Sequence, residues 1–132
     1  MTYDDASWHH ESVLEHGLDG ACAATHIGMF FAWLANHGMV DPQRIDVTAL
    51  VVRDTTPGRF LLSRCAGEID QFMLTPDGAA FTAAVYDPYL RGYQYIPQIS
   101  HYTPSYAAPD TWDTYDAVSP TIDEAYAAFL EN

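Results

Sequence analysis

The chain has 132 residues, of which 48% are hydrophobic and 14% aromatic, enough for one domain with a buried core. Its 18 acidic residues outnumber five arginines, with no lysine, so the formal net charge is −13 at pH 7. Such a negative field excludes binding to nucleic acid or to an anionic membrane and favours basic protein partners. The same acidity is also typical of a soluble protein from a salt-adapted or lysine-poor proteome, an alternative that the sequence leaves open.

The N-terminus carries acidic residues and lacks the basic flank and apolar run of a signal peptide. The longest apolar stretch, around Ile27–Leu34, is much too short to span a membrane. We therefore expect a single domain over residues 1–132 that stays in the cytoplasm. In that reducing compartment, Cys22 and Cys65 are expected to be buried thiols and not a disulfide.

The first forty residues contain the clearest helix of the sequence. Residues 3–20 lack a sustained period and predict an ordered arm with a short helix at Ser12–His16. From Ala23 to His37 the apolar residues recur at the spacing of one helix face, which predicts a helix ended by Gly38. The stripe that faces the core consists of Ile27, Phe30, Phe31 and Leu34.

Three later helix starts are marked by a capping residue followed by proline, which costs no hydrogen bond in the first helical turn. They predict helices over residues 43–53, 58–66 and 76–86, after Asp41-Pro42, Thr56-Pro57 and Thr75-Pro76. Because β-branched residues are frequent in the first of these segments, a strand is its alternative.

The region after residue 86 is punctuated by prolines and rich in tyrosine. Residues 87–111 predict a long irregular segment, or a loop with one short helix or strand around Tyr93–Ile99. A turn at Thr111–Ala117 and a final helix from Ser119 and Pro120 complete the chain. The expected fold class is mainly α, a compact bundle of about five short helices. Whether the domain also contains a short pair of strands is left open by the sequence.

No motif for catalysis or cofactor binding occurs in the sequence. It has no glycine-rich phosphate loop and no Gly-x-Ser-x-Gly elbow, and the lack of lysine removes Schiff-base and Walker-type chemistry. His9 and His10 are adjacent and would point apart, while His26 and His37 lie about 16 Å apart along one helix. We expect no cofactor, no metal site and no catalytic residue.

The tyrosines of the irregular segment and the acidic residues near them are the expected partner-binding surface. Tyrosine gives a large, rigid contact area at low entropic cost and is enriched at interface hot spots. An equally open interpretation is that these tyrosines fasten the segment to the helical core. The residues assigned to a basic protein partner are Asp87, Tyr89, Tyr93, Tyr95, Tyr102, Tyr106, Asp110, Asp113 and Asp116.

Two further functions are compatible with the residues. A small-molecule or regulatory site would use an aromatic and histidine pocket, for which the candidates are Trp8, His26, Trp33 and Trp112. An enzyme of unrecognised type would use clustered carboxylates, of which the available ones are Asp4, Asp5, Asp110, Asp113 and Asp116.

Three stretches of the sequence together are similar to a known family. They are YDDASWH at residues 3–9, ATHIGMF with the following AW pair at residues 24–33, and DTWDTYD at residues 110–116. In this order they resemble an uncharacterised family of small bacterial single-domain proteins over nearly the whole chain. The resemblance supplies no catalytic residues. It implies a non-catalytic immunity or antitoxin-like protein that occludes a cognate toxin acting in the cytoplasm, because such small acidic proteins often accompany secreted antibacterial toxins.

Overall fold

Six α-helices and a two-stranded sheet form the fold in a computed structural model that describes all residues, Met1–Asn132. Strands β1 and β2 span Thr2–Asp5 and Glu68–Asp70 and pair antiparallel. The prediction of a mainly α domain is confirmed, and the one strand pair joins the N-terminus to the middle of the chain. Helices α1 to α6 span His10–Glu15, Thr25–Asn36, Thr48–Val51, Pro57–Arg64, Pro76–Gly92 and Trp112–Leu130.

Helix α2 is the centre of the domain. Every residue from Thr25 to Ala35 is buried, as expected of a helix that is apolar on all sides. It packs against α3, α4 and α6. The predicted stripe is fully buried, and the helix begins two residues later than predicted because a 3-10 turn, Gly20–Ala24, precedes it.

Two of the three predicted proline starts are confirmed. Helix α4 begins at Pro57 after Thr56, and α5 begins at Pro76 after Thr75. The hydroxyl oxygen of Thr75 accepts a hydrogen bond of 3.1 Å from the backbone N–H of Gly78. Each proline therefore occupies a first-turn position where the helix requires no amide donor.

The third proline start does not produce the helix predicted over residues 43–53. The Asp41 carboxylate accepts a hydrogen bond of 2.9 Å from Gln43 N and closes a single turn, after which the chain leaves the helical path. Helix α3, the next helix, has only four residues. The prediction is wrong here because β-branched Ile45 and Val47 disfavour extension of the turn.

Two other prolines lie inside helices that the sequence predicts to end or begin near them. Helix α5 continues through Pro88, and α6 runs through Pro120 from its cap at Thr111. The predicted irregular segment therefore begins at residue 93 and not at 87, and the helix start predicted at Ser119 is wrong. Both prolines face solvent, with buried residues on either side in the same helix. Core packing thus outweighs the cost of an internal proline, which is about 3 kcal/mol.

The remaining connections are more regular than predicted. Three 3-10 turns fold the chain between α5 and α6, at Tyr93–Tyr95, Ile99–His101 and Ser105–Ala107. The N-terminal arm contains β1, a 3-10 turn at Ala6–Trp8 and α1. None of the helices has the length and apolarity needed to cross a membrane.

Both cysteines are free thiols, as expected, but Cys22 is half-buried and not buried as predicted. Cys65 lies in the core, and its burial raises the pKa of the thiol to about 12. The thiol therefore stays protonated and unreactive near neutral pH.

Helices α2 and α4 approach each other closely at Gly28. A Cβ atom at this position would lie 2.6 Å from the backbone carbonyl carbon and oxygen of Pro57. No real Cβ contact is that short, so any other residue would push the two helix backbones apart.

Gly28→Ala is therefore expected to lower the free energy of unfolding by about 1–3 kcal/mol, as overpacking does in other cores. Chemical denaturation followed by circular dichroism would measure the change. Gly92→Ala is the matched control, because a Cβ at the end of α5 meets no atom within 4 Å, and its effect should stay within about 0.5 kcal/mol. Equal stability of the two variants would contradict the close helix contact.

Candidate functional site

The carboxylate of Asp4 is buried, with 1% of the residue exposed, and accepts four hydrogen bonds. Its Oδ1 accepts from the backbone N–H of Asp5 at 2.8 Å and pairs with His9 Nε2 at 2.6 Å. Its Oδ2 pairs with His26 Nε2 at 3.2 Å and accepts from the Tyr86 hydroxyl at 2.6 Å. These partners use the lone pairs of an ionised carboxylate, so the charge is buried but satisfied.

Four different parts of the chain bring this cluster together. Strand β1 turns Asp4 inward, and Asp5 then caps the following 3-10 turn through a hydrogen bond from Ser7 N. The chain therefore reverses so that His9 returns to the carboxylate. His26 comes from the first turn of α2, and α5 supplies the tyrosine.

The protonation states follow from the surroundings. Burial alone raises the pKa of Asp4, but the hydrogen bonds from His26, His9 and Tyr86 outweigh it, and the pKa lies well below its ordinary value of 3.8. Burial lowers the pKa of His26 despite the neighbouring carboxylate. Burial also raises the pKa of Tyr86 well above its ordinary value. At neutral pH the cluster is one aspartate anion held by uncharged donors from His26 and Tyr86.

Tyrosines surround the two histidines. The hydroxyl of Tyr89 donates to the backbone carbonyl of His26 at 2.6 Å, and the hydroxyl of Tyr106 pairs with His9 Nδ1 at 2.7 Å. The rings of His9 and His26 meet edge to face, with centroids 4.5 Å apart. Two buried polar atoms of this region, His26 Nδ1 and the hydroxyl oxygen of Tyr93, have no hydrogen-bond partner.

Four of the residues assigned to a partner therefore have internal contacts. Tyr89 and Tyr93 are buried in the core, and Tyr106 is half-buried against His9. Asp110 accepts hydrogen bonds from the first turn of α4, including one of 2.7 Å from Gly58 N. These side chains fasten the segment to the domain, which is one of the two interpretations that the sequence allows.

The other five assigned residues are exposed: Asp87, Tyr95, Tyr102, Asp113 and Asp116. Asp116 forms an ion pair of 2.8 Å with Arg53, so its charge is already compensated. Tyr102 and Asp113 line one surface hollow of about 360 Å³, which we call the Tyr102 hollow. Its other lining residues are Gln98, Ile99, His101, Pro109, Thr111 and Thr114.

The structure does not bring the four residues of the expected aromatic pocket together. Trp8 is 62% exposed, whereas His26 and Trp33 are buried. Trp112 is half-buried, and the guanidinium of Arg53 lies 4.6 Å from the centre of its ring. Nor are the acidic residues gathered into one site, because the carboxylates are held in separate contacts.

The cluster of Asp4, His9 and His26 is a site that sequence spacing does not reveal. Its members are separated by five and 22 positions in sequence, so no local motif connects them. One signal was present: His26 lies within the apolar α2 sequence, where an unpaired polar group would be costly. That position required a polar partner from elsewhere in the chain.

The model of a family described as a domain of unknown function, DUF7832, matches residues 2–114. The chain belongs to this family. The resemblance to an uncharacterised family is thus confirmed. No curated protein and no solved structure matches the chain. The matched range contains the whole cluster around Asp4 and ends within the first turn of α6.

Tyr86→Phe removes one donor from the buried carboxylate and leaves the ring in place. We expect the free energy of unfolding to fall by about 1–3 kcal/mol, the usual effect on a buried charged acceptor. Thermal and urea denaturation would measure it. Tyr95→Phe removes a hydroxyl from a residue that is 75% exposed and should leave stability unchanged; a similar loss in both variants would contradict the role of the Tyr86 hydroxyl.

The stability of the domain is expected to fall as the pH falls from 7 to about 5. The pKa of folded His26 lies below its ordinary value of 6.5, so below that pH the unfolded chain binds a proton that the folded chain excludes. A second loss is expected below the ordinary pKa of Asp4, 3.8, for the same reason. Urea titrations at several pH values would test this.

His26→Gln should lose the first part of this pH dependence, whatever its stability at pH 7. His16→Gln, which alters an exposed histidine, should keep it. A steeper or unchanged slope in His26→Gln would contradict the assignment.

Proposed function

We propose that this domain is a non-catalytic acidic binding protein that occludes the active site of a cognate bacterial toxin acting in the cytoplasm. In this role it is an immunity or antitoxin-like protein. The observation that carries the proposal is the Tyr102 hollow, where an exposed tyrosine and an exposed carboxylate line the same depression.

The hollow combines the two kinds of group that a basic protein would contact. Tyr102 offers an aromatic surface that is 41% exposed, and Asp113 offers an exposed carboxylate that forms no direct salt bridge, although Arg53 lies near enough to attract it. A lysine or arginine side chain can lay its alkyl stem on the ring and place its charge near the acid. Such aromatic and charged anchors carry most of the binding energy of protein interfaces.

A further exposed tyrosine lies close by. The 3-10 turn that contains Tyr95 packs against the turn Ile99–His101, which borders the hollow. Tyr95 is 75% exposed, and its hydroxyl makes no hydrogen bond to another residue of the chain. Tyr95 and Tyr102 thus place two exposed aromatic rings on or beside neighbouring short turns, and tyrosine gives a large contact area at low entropic cost.

The charge distribution supports a basic partner. Residues 67–132 contain ten acidic residues and one arginine, a net charge of −9. A field of this sign accelerates encounter with a basic protein and repels acidic ones. Where the target is a nuclease, carboxylates would also occupy the positions that substrate phosphates take in its cleft.

The test begins by searching the genes beside the one for this protein for a toxin, whose presence we expect. That toxin is then used in an inactive form for binding and in an active form for growth. Wild-type protein should restore growth and bind the toxin, with an association rate that falls as salt rises from about 50 to 300 mM. Tyr102→Ala/Asp113→Asn should weaken binding by about 10- to 100-fold, because both anchors of the hollow are lost.

The matched control is Phe72→Ala/Glu124→Gln, which removes one exposed aromatic ring and one exposed acidic charge elsewhere. It should bind like the wild type. Circular dichroism would confirm that both double variants are folded. Failure of the wild type to protect cells from the toxin, or equal binding by the two double variants, would overturn the proposal.

A further inference from the structure

Three potential metal-ligating side chains converge on one point of the domain. Asp4, His9 and His26 each offer one ligand atom, and these atoms all lie within 4.8 Å of one another. We propose that they bind a divalent transition metal ion, with Zn²⁺ as the preferred ion. This site is separate from the Tyr102 hollow and does not depend on the toxin-binding proposal.

The donor set selects the class of ion. Two imidazole nitrogens and one carboxylate oxygen suit Zn²⁺ and its neighbours in the first transition row. Mg²⁺ and Ca²⁺ prefer oxygen ligands, and histidine nitrogen is a poor donor for them. Thiolate-preferring ions are disfavoured because the ligand set contains no cysteine.

The present distances are near those of a tetrahedral site. Zinc bonds of 2.0–2.2 Å at tetrahedral angles place ligand atoms about 3.3 Å apart. His26 Nε2 already lies 3.2 Å from Oδ2 of Asp4, and His9 Nε2 lies 2.6 Å from the other oxygen, Oδ1. Because the three ligand atoms all lie within 4.8 Å of one another, shifts of up to about 1.5 Å bring them to tetrahedral spacing. His9 is the half-buried member of the set and borders a 3-10 turn, so it is the ligand with room to adjust.

Hydrogen bonds around the ligands are already suited to metal binding. The Tyr106 hydroxyl lies 2.7 Å from His9 Nδ1 and can either donate to this nitrogen or accept from it. When His9 Nε2 binds an ion, its proton resides on Nδ1 and the tyrosine becomes the acceptor. The Tyr86 hydroxyl likewise donates to Oδ2 of Asp4, the oxygen that His26 contacts. Such outer contacts orient metal ligands.

The buried state of His26 is an independent observation in favour of an ion. The residue is 3% exposed, and its Nε2, the nitrogen that faces Asp4, has only a 3.2 Å contact with that carboxylate. One long hydrogen bond compensates poorly for burying an imidazole. A nitrogen–metal bond supplies a stronger partner for this ring.

The ion would reach the site from one side. Asp4, His26 and Tyr86 are buried, whereas His9 and Tyr106 are half-buried. Three protein ligands leave one tetrahedral position free for water or another small ligand, and that position is expected to face His9 and Tyr106.

The test begins with the full chain stripped by EDTA and then titrated with Zn²⁺, with bound metal measured by mass spectrometry. We expect about one ion per chain and a rise in melting temperature. Co²⁺ in place of Zn²⁺ should give the intense visible absorption of a tetrahedral site. Tyr106→Phe should keep the stoichiometry but weaken binding by about 10-fold or more.

His9→Gln is the decisive variant because this half-buried residue can change without emptying the core. It should abolish stoichiometric binding and the cobalt spectrum. His10→Gln alters the adjacent, exposed histidine and should bind metal like the wild type. Asp4→Asn should also lose the metal, and if it fails to fold, His9→Gln alone decides.

Three results would overturn the proposal. These are a wild type that holds well below one ion per chain, a His9→Gln variant that binds as tightly as the wild type, and a cobalt spectrum typical of the hydrated ion. The first result would leave Asp4 as a purely hydrogen-bonded anchor.

Discussion

A negative charge removed from water requires compensation, and this requirement organises the N-terminal half of the domain. The Asp4 carboxylate obtains it from His9, His26 and Tyr86, which lie on three separate elements. Losing one partner leaves a buried charge incompletely satisfied, at a cost of about 1–3 kcal/mol. The strand, the turn after it, α2 and α5 are therefore fixed relative to one another by a single side chain.

The periodic and capping signals of the sequence predict helices where local preference and packing agree. The α2 stripe and the Thr-Pro starts of α4 and α5 are such cases. Prediction fails at Pro88 and Pro120, where a local breaker lies on the solvent side of a helix whose other side is buried. Local rules contain no information about that burial, so they end α5 too early and begin α6 too late.

The candidate sites differ in how much of each could be predicted from the sequence. The exposed tyrosine and acid of the Tyr102 hollow lie within one segment, and composition alone draws attention to it. Composition does not tell Tyr102 from Tyr89, although one faces solvent and the other the core. The cluster around Asp4 depends on β1 pairing with β2, a contact that only the folded chain provides.

Residue order also has a consequence for synthesis. Asp4 leaves the ribosome well before its last partner, because the Tyr86 hydroxyl follows 82 positions later, and Tyr106 joins His9 over a separation of 97. The carboxylate therefore cannot obtain its full set of partners until Tyr86 has been made. At about 5–20 residues per second, the opening strand waits several seconds unpaired. An extension fused ahead of Thr2 would lie beside strand β1, which pairs late. We therefore expect a C-terminal fusion to disturb the folding of the domain less than an N-terminal one.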